Sequence, residues 1–85
     1  MTAPGPAQRL TLVTREECGL CEEMLHELQG LQARHRLPPL ELADVDADPA
    51  LLRRWGLKVP VLLLDGALVC QHRLDTPELL RLLRL

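Results

Sequence analysis

Two cysteines separated by two residues are the side chains of this sequence best suited to chemistry. The segment Cys18-Gly19-Leu20-Cys21 follows a short apolar stretch and precedes a stretch of helical periodicity. At the start of a helix this spacing lets the two sulfurs meet, and unpaired backbone N–H groups there stabilise a thiolate. Because the thiolate is the nucleophile of disulfide exchange, the motif predicts a redox-active pair. We expect Cys18 to attack a substrate disulfide and Cys21, one turn inside the helix, to resolve the mixed disulfide that forms.

The same spacing also occurs in zinc sites, so a metal centre is an alternative interpretation. Cys70 and His72 alternate onto one face of a later predicted strand and would complete a set of four ligands. Structural zinc sites usually take their second pair from a turn, which favours redox chemistry here and no metal. A purely structural disulfide is the third interpretation. Cys70 is then expected to be a small core side chain that disulfide exchange does not need.

The composition indicates one small domain with an aliphatic core. The chain has 85 residues, of which 47% are hydrophobic and only one is aromatic, and its formal net charge is −2. This balance argues against binding to nucleic acid, and no apolar run approaches the roughly 20 residues that span a bilayer. The first nine residues lack the apolar core of a secretory signal. We therefore expect a cytoplasmic monomer with no nucleic-acid or membrane partner.

The hydrophobic periodicity predicts a disordered lead-in over residues 1–8 and a single domain over residues 9–85. Strands are predicted at 9–14, 40–46, 61–64 and 67–73, and helices at 20–36, from Pro49 to Gly56, and from Thr76. The second strand has apolar residues on both faces and is expected inside the sheet. Gly56 is expected to end its helix in a left-handed conformation. The order βαβ-α-ββ-α predicts an α/β domain whose four-stranded mixed sheet carries helices on both faces.

Three further segments, taken together with the cysteine pair, resemble those of a known family. They are Val45-Asp46-Ala47-Asp48-Pro49, the run from Trp55 to Leu64, and Asp65-Gly66. These segments resemble the second half of thioredoxins and glutaredoxins, and the chain is most similar to short bacterial glutaredoxin-like proteins. The resemblance implies a thioredoxin-like fold, in which Pro60 is a cis-proline facing the sulfurs. It also implies that the backbone of Val59 pairs with a bound peptide or with glutathione.

The sequence departs from that family mainly at the positions that would bind glutathione. Lys58 replaces a threonine, Leu20 replaces an aromatic residue, and His72-Arg73-Leu74 replaces a pair of glycines. Asp75 and Thr76 still offer a helix N-terminus to a carboxylate. The expected substrate-binding residues are therefore Lys58, Val59, Pro60, Asp75 and Thr76. The family resemblance therefore supports disulfide chemistry in this chain more strongly than it supports a glutathione-binding site.

The sequence thus predicts a thiol–disulfide oxidoreductase that exchanges disulfides with a protein or a small thiol and holds no bound cofactor. Glutathione or a thioredoxin reductase is the expected source of electrons, and the sequence does not choose between them. Two alternatives stay open: a carrier of a metal or iron–sulfur cluster, and a non-catalytic binding module. Charges beside the cysteines have mixed sign, because Arg15 and Lys58 face four nearby glutamates at positions 16, 17, 22 and 23.

Overall fold

Four strands and three α-helices follow one another along residues 8–85, the part of the chain that this computed structural model describes. The strands are β1 (Leu10–Thr14), β2 (Leu40–Asp44), β3 (Val61–Leu64) and β4 (Ala67–Gln71), and the helices are α1 (Gly19–Arg34), α2 (Pro49–Trp55) and α3 (Thr76–Leu83). Of the predicted disordered lead-in, all but residue 8 lies outside the described residues. Between residues 8 and 85, no helix has the length and apolar character needed to cross a membrane.

The strands form one mixed sheet in the order β2-β1-β3-β4. β1 pairs with β2 in parallel and with β3 antiparallel, and β3 pairs with β4 antiparallel. The carboxyl ends of β1, β2 and β4 and the amino end of β3 consequently lie together, and we call this the site end of the sheet. The predicted four-stranded mixed sheet is confirmed.

Helices cover both faces of this sheet, as the element order predicts. On one face α1 and α3 bury a leucine-rich cluster against β1 and β3: Leu10, Leu12, Met24, Leu28, Leu31, Leu62 and Leu79. On the other face α2 contributes Trp55, which packs with a smaller cluster: Val13, Val45, Val61 and Leu63. Residues 12 and 13 belong to different clusters because successive side chains of a strand point to opposite faces.

The expectation that the second strand lies inside the sheet is wrong. β2 is an edge strand, and Leu42 at its centre is 57% exposed. The strand also ends at Asp44 rather than at residue 46. There the Asp44 side chain accepts a hydrogen bond from the Asp46 N–H at 2.9 Å and turns the chain into a short 3₁₀ segment, Val45–Ala47. A local side-chain bond of this kind competes with the strand ladder and ends it.

Two local signals place the start of α2 and the β3–β4 turn where the sequence predicts them, whereas α1 ends at Arg34 rather than at residue 36 and β4 ends at Gln71 rather than at residue 73. Asp48 caps α2 by accepting from the Ala50 N–H at 2.8 Å, and Pro49 occupies the first turn. Asp65 and Gly66 have φ values of 51° and 84° and close the β3–β4 hairpin. Two positive φ values match the turn type whose twist suits antiparallel strands.

Gly56 lies at the end of α2, as predicted, but does not adopt the conformation expected of it. Its φ of −54° and ψ of −32° are right-handed helical rather than left-handed. A Cβ at this residue would lie 2.5 Å from the Leu52 carbonyl oxygen and 2.9 Å from Leu52 Cδ1. The glycine is therefore required by close packing against the preceding turn and not by backbone handedness.

This close approach predicts that Gly56→Ala lowers the free energy of unfolding by about 1–3 kcal/mol, because the added methyl group overpacks the end of α2. Gly30→Ala is the matched control, since a Cβ there meets only Arg34 Nη2 at 4.0 Å. It should raise the free energy of unfolding by about 0.5–1 kcal/mol through helix propensity. Urea denaturation of the two variants checks the opposite signs, and stabilisation by both would contradict the packing argument.

Candidate functional site

Cys18 and Cys21 are joined by a disulfide across the first turn of α1, with Cα atoms 5.2 Å apart. Cys18 is the N-cap residue, with extended backbone dihedrals, and its Sγ accepts a hydrogen bond from the Cys21 N–H at 3.2 Å. Its carbonyl oxygen accepts the first helical bond, from the Glu22 N–H at 3.1 Å. The sulfur thus occupies the place where a capping side chain normally satisfies the free N–H groups of a helix start.

The two cysteines differ sharply in exposure. Cys21 is 3% exposed and lies on the buried face of α1 that continues through Met24. Cys18 is half-buried, and Gly19 beside it is exposed and leaves open space around its Cα. Of the two residues, Cys18 is therefore the more accessible from solvent and Cys21 the better shielded.

The segment before β3 also lies at the site end of the sheet. The Val59–Pro60 peptide bond is cis, and Pro60 is buried. Its carbonyl oxygen accepts a hydrogen bond at 2.8 Å from the N–H of His72, whose φ is 69°. Val59 is half-buried against the cluster that contains Trp55. Contact of Pro60 with the sulfurs, which the family resemblance implies, stays a prediction.

Lys58 is exposed and turns toward Trp55. Its Nζ lies 5.9 Å from the centre of the indole ring, and the guanidinium carbon of Arg54 lies 4.9 Å from the same centre. The Lys58 N–H also closes the turn after α2 by donating to the Trp55 carbonyl oxygen at 2.8 Å. Cations within about 6 Å of an aromatic ring are attracted to its face. The indole ring therefore attracts the side chains of both Lys58 and Arg54.

Asp75 and Thr76 form the start of α3, as expected, but the carboxylate of Asp75 already serves that helix. It accepts a hydrogen bond from the Glu78 N–H at 3.1 Å and is the N-cap. Thr76 is half-buried and lines a groove between α3 and α1, together with His26, Glu27 and Arg34. A substrate carboxylate at this helix start would meet the negative charge of Asp75, which weakens the case for glutathione binding there.

Arg15, one residue beyond β1, makes contacts that the sequence did not suggest. Its Nε and Nη2 donate to the two carboxylate oxygens of Asp46 at 2.9 and 3.1 Å, and its Nη1 donates to the Gly56 carbonyl oxygen at 3.0 Å. The hydrogen bond to Arg15 lowers the pKa of Asp46, and the same bond raises the pKa of Arg15. The Asp-x-Asp pattern at positions 44 and 46 was the sequence signal for a structured acidic turn.

The structure does not join Cys70 and His72 to Cys18 and Cys21 in one metal site. β4 carries an irregularity opposite Leu62 and Leu63, Cys70 packs against the core beneath α1 and α3, and His72 lies beyond the strand. Within residues 8–85, His, Cys, Asp and Glu side chains form no group of three or more suited to a metal ion. The four-ligand zinc interpretation therefore has no geometric support among the described residues.

Comparison with known proteins relates this chain to a family and to a fold. A family model described as a glutaredoxin-like domain (DUF836) matches residues 9–84. The protein Ne2328 from Nitrosomonas europaea, known from a solution NMR structure, is 31% identical, with a TM-score of 0.76 over 93% of this chain and 94% of that one. The protein XcR50 from X. campestris is 29% identical, with a TM-score of 0.63 over 88% and 95% of the two chains.

A more distant likeness connects the chain to a thioredoxin. Thioredoxin 1 from the thermophilic eubacterium Thermosipho africanus is 16% identical and superposes with a TM-score of 0.59 over 89% of this chain and 90% of that one. At this level of identity the likeness concerns the fold alone. It confirms the predicted thioredoxin-like fold.

The surroundings of Cys70 predict slow, strongly pH-dependent reactivity. Burial raises the pKa of the Cys70 thiol, so the folded protein favours its neutral form. In a Cys18→Ser/Cys21→Ser variant, iodoacetamide should therefore label Cys70 more slowly in folded than in urea-unfolded protein. The rate should still be rising at pH values where the unfolded thiol has fully ionised. Equal alkylation rates for folded and unfolded protein across that range would contradict this placement.

Proposed function

The chain belongs to the glutaredoxin-like domain family, and we propose that it is a dithiol–disulfide oxidoreductase that acts through Cys18 and Cys21. The observation that carries the proposal is the contrast between the two sulfurs of one disulfide. Cys18 is half-buried at the helix N-cap, whereas Cys21 is 3% exposed. An accessible sulfur beside free N–H groups suits a nucleophile, and a shielded neighbour suits a resolving thiol.

The proposed reaction begins with the reduced pair. The Cys18 thiolate attacks one sulfur of a substrate disulfide, a Cys18–substrate bond forms, and the second substrate sulfur leaves as a thiolate that takes up a proton. Cys21 then loses its proton and attacks the Cys18 sulfur, which releases the first substrate sulfur as a thiol. Two electrons and two protons pass to the substrate, and Cys18 and Cys21 end as the disulfide.

The segment that carries Lys58, Val59 and Pro60 is the proposed binding surface for the substrate chain. Two features support this role: the segment lies at the site end of the sheet, and its bonds to Trp55 and His72 hold it in place. Asp75 and Thr76 are proposed as a secondary contact. Because Asp75 caps α3 with its own carboxylate, a protein disulfide fits this surface better than the anionic tripeptide glutathione does.

The cell must supply electrons to keep such a dithiol working. We propose a cytoplasmic setting, where glutathione or a thioredoxin reductase returns the pair to its reduced form. Turnover with thioredoxin reductase, compared with turnover with glutathione and glutathione reductase, identifies the donor. A visible spectrum and a metal assay on anaerobically purified protein test the competing role as a cluster carrier.

Single cysteine replacements test the division of labour between the two sulfurs. Cys18→Ser should abolish reduction of a substrate disulfide, because the accessible nucleophile is gone. Cys21→Ser should leave the first attack intact and trap the mixed disulfide, visible by mass spectrometry as a substrate adduct on Cys18. Cys70→Ser is the control and should retain the wild-type rate.

The order of alkylation gives an independent measurement. With limiting iodoacetamide and fully reduced protein, peptide mapping should find the label on Cys18 before either other cysteine. First labelling at Cys21 or Cys70 would show that the roles are assigned wrongly. Loss of activity in Cys70→Ser with an intact fold would make Cys70 a redox partner or a ligand.

A further inference from the structure

Three loops at the site end of the sheet meet at the guanidinium of Arg15. Arg15 lies three residues before Cys18, in the loop that joins β1 to α1. Its three donor atoms bind Asp46, which follows β2, and the carbonyl oxygen of Gly56, which precedes the segment that leads to Pro60. One side chain thus connects the loop that carries the sulfur to the loop that carries the proposed substrate-binding residues.

The pairing with Asp46 argues against Arg15 acting as a free positive charge beside the thiolate. Both carboxylate oxygens of Asp46 accept from Arg15, and the pairing keeps that carboxylate ionised. The paired negative charge offsets the positive charge of the guanidinium, so the pair has a weaker field than an unpaired arginine would have. The backbone of Asp46 is itself held by the Asp44 side chain, which accepts a hydrogen bond from the Asp46 N–H at 2.9 Å.

The geometry of the contact requires an arginine. A planar guanidinium binds a carboxylate with two parallel donors and still has further N–H groups for a third acceptor. Gly56 is the cap residue that follows α2, and its carbonyl oxygen has no partner inside that helix. A lysine at position 15 would keep the charge but has a single nitrogen, which cannot make these three bonds with the same geometry.

Stability alone does not account for the arrangement. The side chains of Arg15 and Asp46 are 37% and 51% exposed, and ion pairs this exposed contribute little to the free energy of folding. The relative position of the two loops has a larger effect on the rate of disulfide exchange, because the Cys18 sulfur must line up with a substrate disulfide that is bound at another loop. Small errors in such alignment lower rates by large factors.

We propose that Arg15 is a positioning residue, which sets the separation between the Cys18 loop and the Gly56–Pro60 segment so that a polypeptide bound to the segment presents its disulfide to Cys18. This inference rests on the proposed function. It assigns to Arg15 a role in reactions with polypeptide disulfides and none in the intrinsic reactivity of Cys18.

The test compares Arg15→Lys, Arg15→Gln and Asp46→Asn with the wild type on two substrates. One is a synthetic peptide dimer joined by a cysteine disulfide, and the other is the small aromatic disulfide 5,5′-dithiobis(2-nitrobenzoate), which needs no second loop. All three variants should lose about tenfold or more in kcat/KM for the peptide. Their rates with the aromatic disulfide, and the pKa of Cys18 measured by pH-dependent alkylation, should stay at the wild-type values.

Arg81→Gln is the matched control. Arg81 forms the same kind of two-bond pair with Glu78, at 2.7 and 2.9 Å, on the exposed side of α3. Its removal should leave both rates within about twofold of wild type, since such exposed pairs contribute little. Urea midpoints of all variants establish that each is folded under the assay conditions, and Asp46→Asn retains the arginine if the Arg15 variants are too unstable to assay.

Wild-type peptide rates in every variant, or equal losses with both substrates in folded protein, overturn the proposal. It is also overturned if Arg15→Lys reduces the peptide at the wild-type rate while Arg15→Gln, alone among the variants, raises the pKa of Cys18. That last outcome would make Arg15 a source of charge. Failure of the wild-type protein to reduce the peptide at all would instead contradict the proposed function, and that comparison is made first.

Discussion

The packing of one face of α1 against the sheet is the contact on which the rest of the site depends. Met24, Leu28 and Leu31 are buried against β1 and β3, and Cys21 continues the same face toward the start of the helix. Cys18 is the first position beyond that face. Two cysteines within one helical turn therefore differ in burial, because Cys21 lies on the side of the helix that packs in the protein interior and Cys18 is the cap residue that precedes the helix.

The direction of the strands decides what surrounds these sulfurs. Since β1, β2 and β4 all run toward the site end and β3 runs away from it, the loops at these four strand ends lie at the same end of the sheet as the loop that leads to Cys18. Long-range hydrogen bonds then fix the loops to one another: Arg15 to Asp46 and Gly56, and His72 to Pro60. The acceptors of two of these bonds are backbone carbonyl groups, of Gly56 at the end of α2 and of Pro60 just before β3, so the ends of these elements also take part in assembling the site.

Family membership and local geometry support different parts of the functional proposal. The family match covers residues 9–84 and places the chain among glutaredoxin-like domains. The contrast in burial between the two cysteines and the capping of α3 by Asp75 belong to this chain's own geometry. Family membership favours thiol redox chemistry in general, and the local geometry favours a dithiol mechanism with a polypeptide substrate.

The amino-acid sequence by itself determined the features that depend on neighbours within about four residues. The capped start of α2 at Asp48-Pro49, the hairpin at Asp65-Gly66 and the helix that opens at the cysteine pair were all predictable, because caps and tight turns are set by local hydrogen bonds and φ preferences. The two-faced core was predictable as well, since alternation along a strand assigns residues 12 and 13 to opposite sides.

Only the tertiary structure decided that β2 lies at the edge, that Gly56 is right-handed, and that the charge of Arg15 is paired. Apolar residues on both faces of a strand do not report how many strands flank it, and a glycine signals a missing Cβ without revealing which atom occupies that space. Arg15 reaches partners 31 and 41 positions along the chain. Contacts at such separations depend on the path of the folded backbone, which the local conformational preferences of residues do not predict.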